Sequence, residues 1–495
     1  MNKVMTVIRP NSISGITSIT GQSGDISIFR ADGTAADLNV NNITSGIITA
    51  TTFKGAVEGD VTGSGANLTS IPAGQLTGTV ADARLTTVSS SKLSGALPAL
   101  DGSSLTGINT AFGNSSINSS GIITATAFVP TTGQLSHRNI IINGDMRIAQ
   151  RASSSTANGY GDLDRWKHEY GGVDENPTFA RVAVSSGDSG DNPFAKGITK
   201  CLKITNGNQT SGLQANSQIN LNQNIEAQNI RNSGWNYTSS SSYITLSYYV
   251  KASVAQEYHG FVKTTDGSMY VYPYSLGSLS ANTWTKITKT IPGNSNLQID
   301  DDANSGFQVF PIAFYGTSYT NNSITEDAWA AWASGNRSHD QTSTWWTTND
   351  STFEITGVQL EVGPVATPFE HLSFAENKRR CYRYFYQPER SNHVLDLNGA
   401  GHRVADTMGA VVQAYPWPVE MRATPTLSFD DNAGNSNRFA INGSNQQTTT
   451  NVSLSLEPNI QGTMGGFQYP HGITNISENE SFRLWAYNFE ASAEL

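Results

Sequence analysis

The chain has 495 residues and a formal net charge of -10, with 37% hydrophobic residues, only 14% charged residues and 46 glycines. That balance excludes a helix-rich enzyme of ordinary composition and argues against a surface that grips a phosphate backbone. No apolar run is long enough to span a bilayer as a helix and no secretory leader pattern opens the sequence, so neither membrane insertion nor ordinary secretion is expected.

Residues 1–136 contain no Trp, Tyr or Cys and only four Phe. They repeat: Ser45-Gly-Ile-Ile-Thr-Ala-Thr-Thr-Phe53 returns as Ser120-Gly-Ile-Ile-Thr-Ala-Thr-Ala-Phe128, and Asn67-Leu-Thr-Ser-Ile71 returns loosely as Ser104-Leu-Thr-Gly-Ile108. Short β-prone runs between glycines, repeated, read as a quasi-linear structure. Ordering costs roughly 1.5 kcal/mol per residue, while burial returns about 25 cal/mol per Å² of apolar area. A sparse Leu/Ile/Val pattern cannot offset that cost within one thin chain. Either the segment is disordered, or several chains intertwine and bury one another's apolar residues. Low charge and frequent Ile, Val and Thr favour the intertwined shaft.

Residues 137–372 read as one β-sandwich. Strands are predicted at Ile140–Met146, Phe179–Val184, Lys200–Ile204, Tyr243–Ala252, Trp284–Ile291, Phe307–Phe314 and Phe353–Leu360, the last with a bulge at Gly357. Turn residues separate them, among them Asn206-Gly207, Asp266-Gly267 and Pro292-Gly293. Between Glu326 and Asp350 lie Trp329, Trp332, Trp345 and Trp346, with Asn336, Arg337, His339 and Asp340 among them. Aromatic faces stack on sugar rings and polar neighbours fix hydroxyls, so Trp329, Trp332, Asn336, His339, Trp345 and Trp346 are candidate glycan contacts. The competing reading puts Trp329 and Trp332 on one face of a short packed helix. Trp345 and Trp346 are read as strand neighbours, one facing in and one out.

Ser373-x-x-Glu376 is a capping pattern that opens one or two helical turns, with Lys378, Arg379 and Arg380 near the end. Residues 373–495 then form this linker helix and a small β-rich head. Strands are predicted at Val411-Val412, Thr426–Phe429, Arg438–Ile441, Val452–Leu456 and Phe482–Phe489. Tyr415-Pro-Trp-Pro418 is a rigid aromatic loop, so Tyr415 and Trp417 join the candidate contacts, with packing as the competing role.

Several blocks carry a resemblance. Ile355-Thr-Gly-Val-Gln-Leu-Glu-Val-Gly363, Ala366-Thr-Pro-Phe-Glu370 and Cys381-Tyr-Arg-Tyr384, with the upstream Asn139–Arg151 and Asp164-Arg165-Trp166, resemble a module of bacteriophage tail-fibre and receptor-binding proteins, especially those of cyanophages. Ile244–Ala252 and Thr283–Pro292 are similar to strands of carbohydrate-binding jelly rolls, and Met421–Pro425 and Phe489–Leu495 to the module that follows in these fibres. The resemblance implies a homotrimer, an N-terminal segment near Met1–Thr34 that attaches to a tail or adaptor protein, a central jelly roll and a C-terminal small β-sandwich head. It implies a virion protein, assembled in the host cytoplasm, that recognises host surface polysaccharide. A glycan-depolymerising tailspike and a purely structural fibre or baseplate component are the alternatives.

Catalytic chemistry finds little footing in the sequence. Gly187-Asp-Ser-Gly-Asp191 resembles the nucleophile loop of trypsin-like proteases, but Asp191 stands where that family has a second Gly and no partner His motif accompanies it. The eight His are scattered without metal-ligand spacing. Asp300–Asp302 and Asp430-Asp431 read as solvated turns rather than Ca²⁺ loops. Catalytic residues, metal and cofactor are therefore all expected to be none. Cys201 and Cys381 cannot make a disulfide framework and read as buried thiols, a bridge between them being the minority reading.

Overall fold

The computed structural model describes residues 136–389 without a break, then 394–402, 413–431, 433–436, 440–441, 464–467 and 481–495, together with Asp32 and Thr34. The chain divides into two units, Met1–Asn118 and Ser119–Leu495. The proposed shaft, save Asp32, Thr34 and Ser136, lies outside the described residues, as do the strands expected at 411–412 and 452–456.

In chain order the sandwich strands are β1 (Ser154–Ser155), β2 (Lys167–Gly171), β3 (Thr178–Ala183), β4 (Ser189–Gly190), β5 (Lys200–Thr205), β6 (Gln218–Glu226), β7 (Tyr243–Ala252), β8 (Gln256–Thr264), β9 (Tyr270–Leu279), β10 (Thr283–Pro292), β11 (Ser305–Tyr315), β12 (Ala330–Ala331) and β13 (Thr352–Val362). They form two sheets, one ordered β1-β3-β5-β13-β7-β10-β4 and one ordered β12-β9-β8-β11-β6-β2. Side chains alternate across each strand, so each sheet turns one face to the other. Leu246, Val250, Ile355 and Leu360 from the seven-stranded sheet share a core with Leu221, Val262, Val309 and Phe314 from the six-stranded one. Tyr248 donates across the gap to the Tyr274 hydroxyl at 3.2 Å. The result is a mainly β, two-sheet sandwich consistent with a jelly roll.

Six of the seven strands predicted in this region are present, and β13 carries an irregularity between Thr356 and Gln359, where Gly357 has φ +63°. The exception is Ile140–Met146, which forms no strand. Asn143 and Met146 adopt φ +57° and +56°. The Asn143 amide donates to the carbonyls of Ile148 and Asp164 and accepts from the Ile148 N–H. A side chain thus supplies what a partner strand would have supplied. Backbone bonds from Ile140 N–H to Leu360 and from Val358 N–H to Gly144 pin this segment to β13. The strands β2, β6, β8 and β9 were not anticipated.

Helix α1 (Ala227–Arg231) follows β6, and α2 (Thr344–Thr347) precedes β13. Helix α3 (Phe374–Tyr382) starts where the capping pattern placed it, with Ser373 accepting from the Glu376 N–H at 3.1 Å. Beyond it come β14 (Phe385–Tyr386), β15 (Leu395–His402), β16 (Gln413–Pro416), β17 (Thr426–Asp430), β18 (Ala440–Ile441), β19 (Met464–Phe467) and β20 (Ser481–Ser492). The long β20 pairs with β14, β15, β17 and β18, while β16 pairs with β19. Cys201 and Cys381 are both buried and free.

Buried charges join this C-terminal sheet to the sandwich. Glu226, at the end of β6, is fully buried. Arg383 presents Nε and Nη2 to its two carboxylate oxygens at 2.7 Å each, and the Tyr384 hydroxyl donates to it as well. Glu494 sits between Arg165 and Arg151, and the Arg165 guanidinium also lies 3.4 Å from the Tyr384 ring centroid. Such charges are stable in the interior because each is paired and hydrogen-bonded.

Burial pushes the Glu226 pKa up, but the hydrogen bonds from Arg383 and Tyr384 outweigh it and leave the carboxyl below its ordinary 4.5. A carboxyl depressed on folding contributes stability above its unfolded pKa and loses it as pH falls through the folded value. Glu226→Gln is therefore expected to lower unfolding free energy by about 2–3 kcal/mol at pH 7, less than a fully dry pair because Arg383 is partly solvated. Urea unfolding should show this difference shrinking below pH 4.5. An unchanged difference at pH 3 contradicts the assignment.

Candidate functional site

The candidate site lies on the outer face of the six-stranded sheet. Strand β6 reads Gln218-Ile-Asn-Leu-Asn-Gln-Asn-Ile-Glu226. Period-two alternation sends Ile219, Leu221 and Ile225 into the core and Asn220, Asn222 and Asn224 to the opposite face. Register extends this face sideways. Val271, Lys263, Gln308 and Asn224 form a row across β9, β8, β11 and β6. Ile312 stands beside Asn220, which stands beside Glu169, and Asn222 stands beside Lys167. Phe261 and Phe310 stack between these positions at 4.2 Å.

The three asparagines meet different fates. Asn224 accepts from the Gln308 amide at 2.7 Å and donates to the Leu495 carbonyl at 2.8 Å. Asn220 is fully buried, yet neither its amide nitrogen nor its carbonyl oxygen has a hydrogen-bond partner; the Asn222 amide nitrogen also has none. Buried amides are almost always paired, because an unmade bond there costs roughly 1–3 kcal/mol. Asn220 and Asn222 are thus two covered amides on one strand whose hydrogen-bonding groups the protein leaves unmet.

One long connection, residues 316–340, covers the β8–β9 side of this face. Tyr319, Ala330 and Trp332 pack on the cluster of Phe261, Val271, Phe310, Ile312 and Tyr315. His259 Nδ1 lies 2.8 Å from Glu326 and fastens the connection to β8. Burial acts to raise the Glu326 pKa, but the bond from His259 and the nearby His259, His339 and Lys289 together hold the carboxyl below its usual range. Trp332 is half-exposed, with Lys263 Nζ 4.0 Å from its ring centroid and the Arg337 guanidinium 5.4 Å away. Arg337 also lies 4.3 Å from the Tyr319 ring. Burial, then the nearby Arg337 charge, pulls the Lys263 ammonium below its ordinary pKa. The accessible part of the arrangement is the Trp332 ring with two cations beside it, a pairing suited to a sugar's apolar face and its oxygens.

The predicted contacts separate here. Trp332, Asn336 and His339 lie on the covering connection. Asn336 donates its backbone N–H to Ala333, and His339 Nε2 sits 3.0 Å from the Ile324 carbonyl. Trp329 turns the other way: its indole donates to the Pro292 carbonyl at 2.7 Å and its ring meets Tyr272 edge-on in the core. The expected shared helix face is not formed, because Ala330–Ala331 pairs with β9 and a spacing of three residues across a strand points in opposite directions. The expected in-and-out strand pair Trp345-Trp346 is likewise corrected. Both side chains are buried in the core on the single turn of α2. Trp345 donates to the Thr352 carbonyl, Trp346 packs 5.2 Å from Phe314, and the Asn206 amide donates to the Trp346 carbonyl. Neither can meet a ligand. Trp417 is buried against Tyr386 and Phe489, and Tyr415 lies in β16 opposite Gly465. Sequence reasoning missed Asn220, Asn222, Lys263 and the Phe261–Phe310 pair. The available signal was the run of Asn at every second position between apolar residues, in a residue type that strands disfavour.

No family model matches the chain, and no curated protein matches it. Among solved structures, it is similar to the enzymatically active domain of bacteriophage CBA120 tailspike protein 4, at 9% identity and TM-score 0.23 over 46% of this chain and 21% of that one. It is also similar to a putative sugar binding protein from Bacteroides thetaiotaomicron, at 14% identity and TM-score 0.25 over 46% of this chain and 100% of that one. The CBM22-2 xylan-binding domain from Paenibacillus barcinonensis Xyn10C is similar at 12% identity and TM-score 0.22, covering 40% of this chain and 92% of that one. The chain thus spans about a fifth of the tailspike domain. Scores in this range do not define a shared fold, and the sandwich rests on its own strand order.

Because the Asn220 amide is buried without partners, replacing it should stabilise the protein. Asn220→Leu, similar in size and free of polar atoms, is expected to raise unfolding free energy by about 1–2 kcal/mol. Thermal unfolding of the ligand-free protein measures this, and a fall in stability contradicts it.

Proposed function

We propose that the protein is a bacteriophage tail-fibre subunit that recognises a host-surface glycan through the outer face of its six-stranded sheet. The single observation that carries the binding reading is the half-exposed Trp332 ring with Lys263 and Arg337 beside it. A sugar laid against Trp332 has a ring surface to stack on and the Lys263 and Arg337 cations for its oxygens. Tyr315, Tyr319 and Phe310 keep the apolar part of the face in place from beneath.

The wider role rests on the resemblance of the Ile355–Gly363, Ala366–Glu370 and Cys381–Tyr384 blocks. In this reading residues 1–136 intertwine as a homotrimeric shaft whose first residues attach to the tail. Trimerisation presents three copies of a weak site, and avidity makes up for modest single-site affinity. The protein acts by binding, without cleaving the glycan, and works as part of the virion.

Trp332→Ala and Arg337→Ala are each expected to weaken adsorption to host cells at least ten-fold, with the trimer mass unchanged by light scattering. Trp329→Phe, on the core side, should adsorb as the parent does. Undiminished adsorption by both outer-face variants overturns the assignment of the site, and shortened chains after incubation with host polysaccharide overturn the non-enzymatic reading.

A further inference from the structure

A second cleft, of about 830 Å³, opens where α1, α3 and the segment after His137 meet Val419 and Glu420. It shares no residue with the outer-face site. Arg138, Arg379, Arg380 and Arg383 line it together with Glu376 and Glu420. The four arginines differ in what they are doing. Arg383 is spent on Glu226, and Arg138 donates to the Pro368 carbonyl at 3.2 Å and lies 3.7 Å from Glu361. Arg380 lies 3.6 Å from Glu376, its neighbour one helical turn earlier. Arg379 is exposed and makes no hydrogen bond or ion pair among the described residues, and the Asn229 amide across the cleft makes none either. Ile140, Ile142 and Val362 supply an apolar wall.

We propose that this cleft binds an acidic sugar unit, holding its oxyanion on Arg379 and its hydroxyls on α1. The volume falls within the range of small-molecule sites and suits one or two sugar rings, where a bare inorganic ion would leave most of it empty. An idle guanidinium offers the fork geometry that carboxylate and sulfate oxygens accept, and the apolar wall meets the ring's carbon face. A carboxylate and a sulfate ester present the same chemistry here, and the probes tell them apart.

Titration calorimetry on the full chain tests this with tetragalacturonate, low-mass dextran sulfate and neutral maltotetraose. At least one acidic probe is expected to bind at low salt, and maltotetraose to bind at least ten-fold more weakly in this cleft. Arg379→Glu should weaken the acidic probe at least ten-fold and Arg379→Lys less. Arg379 is exposed, so both variants keep the fold, and Trp332→Ala should leave this binding unchanged. The proposal fails if neither acidic probe binds, if Arg379→Glu binds as tightly as the parent, or if Trp332→Ala abolishes the signal, which assigns the acidic sugar to the outer face instead.

Discussion

The carboxylate of Glu226 is the point on which the architecture turns. It ends the strand that carries the asparagine face, and it is the anion to which Arg383 and Tyr384 attach from the far side of α3. A charge this deep is tolerable only with partners supplied from elsewhere in the chain. The sandwich therefore needs the segment between α3 and β14 to satisfy one of its own groups, and Glu494, just past β20, needs the sandwich's Arg151 and Arg165. The same juncture seals the Asn224 end of the outer face, where Leu495 accepts the Asn224 amide, and it borders the arginine-lined cleft through Arg383 and Tyr384. Both candidate binding regions are thus framed by one set of buried ions.

Much of the sandwich was legible because its core strands obey period two. Tyr243–Ala252 and Thr283–Pro292 alternate apolar and polar residues between turn signals, and both are found as read. The capping pattern at Ser373 worked for the same reason, since it is purely local chemistry. What failed was whatever depended on tertiary partners. Ile140–Met146 looks like a strand by composition, but the Asn143 side chain takes over the backbone's hydrogen bonds. Strand β6 does not look like one, because its outer residues are asparagines that gain nothing from the pleat.

The aromatic cluster teaches a similar lesson about the site. Four tryptophans close together in sequence look like one feature, yet they divide among three places. Trp345 and Trp346 fill the end of the core, Trp329 faces it from the edge, and Trp332 alone of the four rests on the outer cluster. Sequence proximity groups residues along the chain, whereas a sheet groups them across strands. The Lys263–Gln308–Asn224 row joins residues from three strands and could be assembled only once register was known. The unpartnered amides of Asn220 and Asn222 burden this face of the sheet.

The bond from the Asn139 amide to the Val358 carbonyl joins residues 219 positions apart, and Arg165 meets Glu494 across 329. A ribosome adding about 5–20 residues per second needs on the order of 10–40 s to deliver the first of these partners. During that interval β1, β3 and β5 can pair among themselves, but Asn139–Arg151 and the β13-facing edge of β5 wait without their partner and are open to like segments on neighbouring polysomes. Production of this molecule is therefore governed by the delay before its last strands arrive, so slower growth at low temperature and a holdase that masks nascent edges should improve its yield more than any strengthening of the finished core.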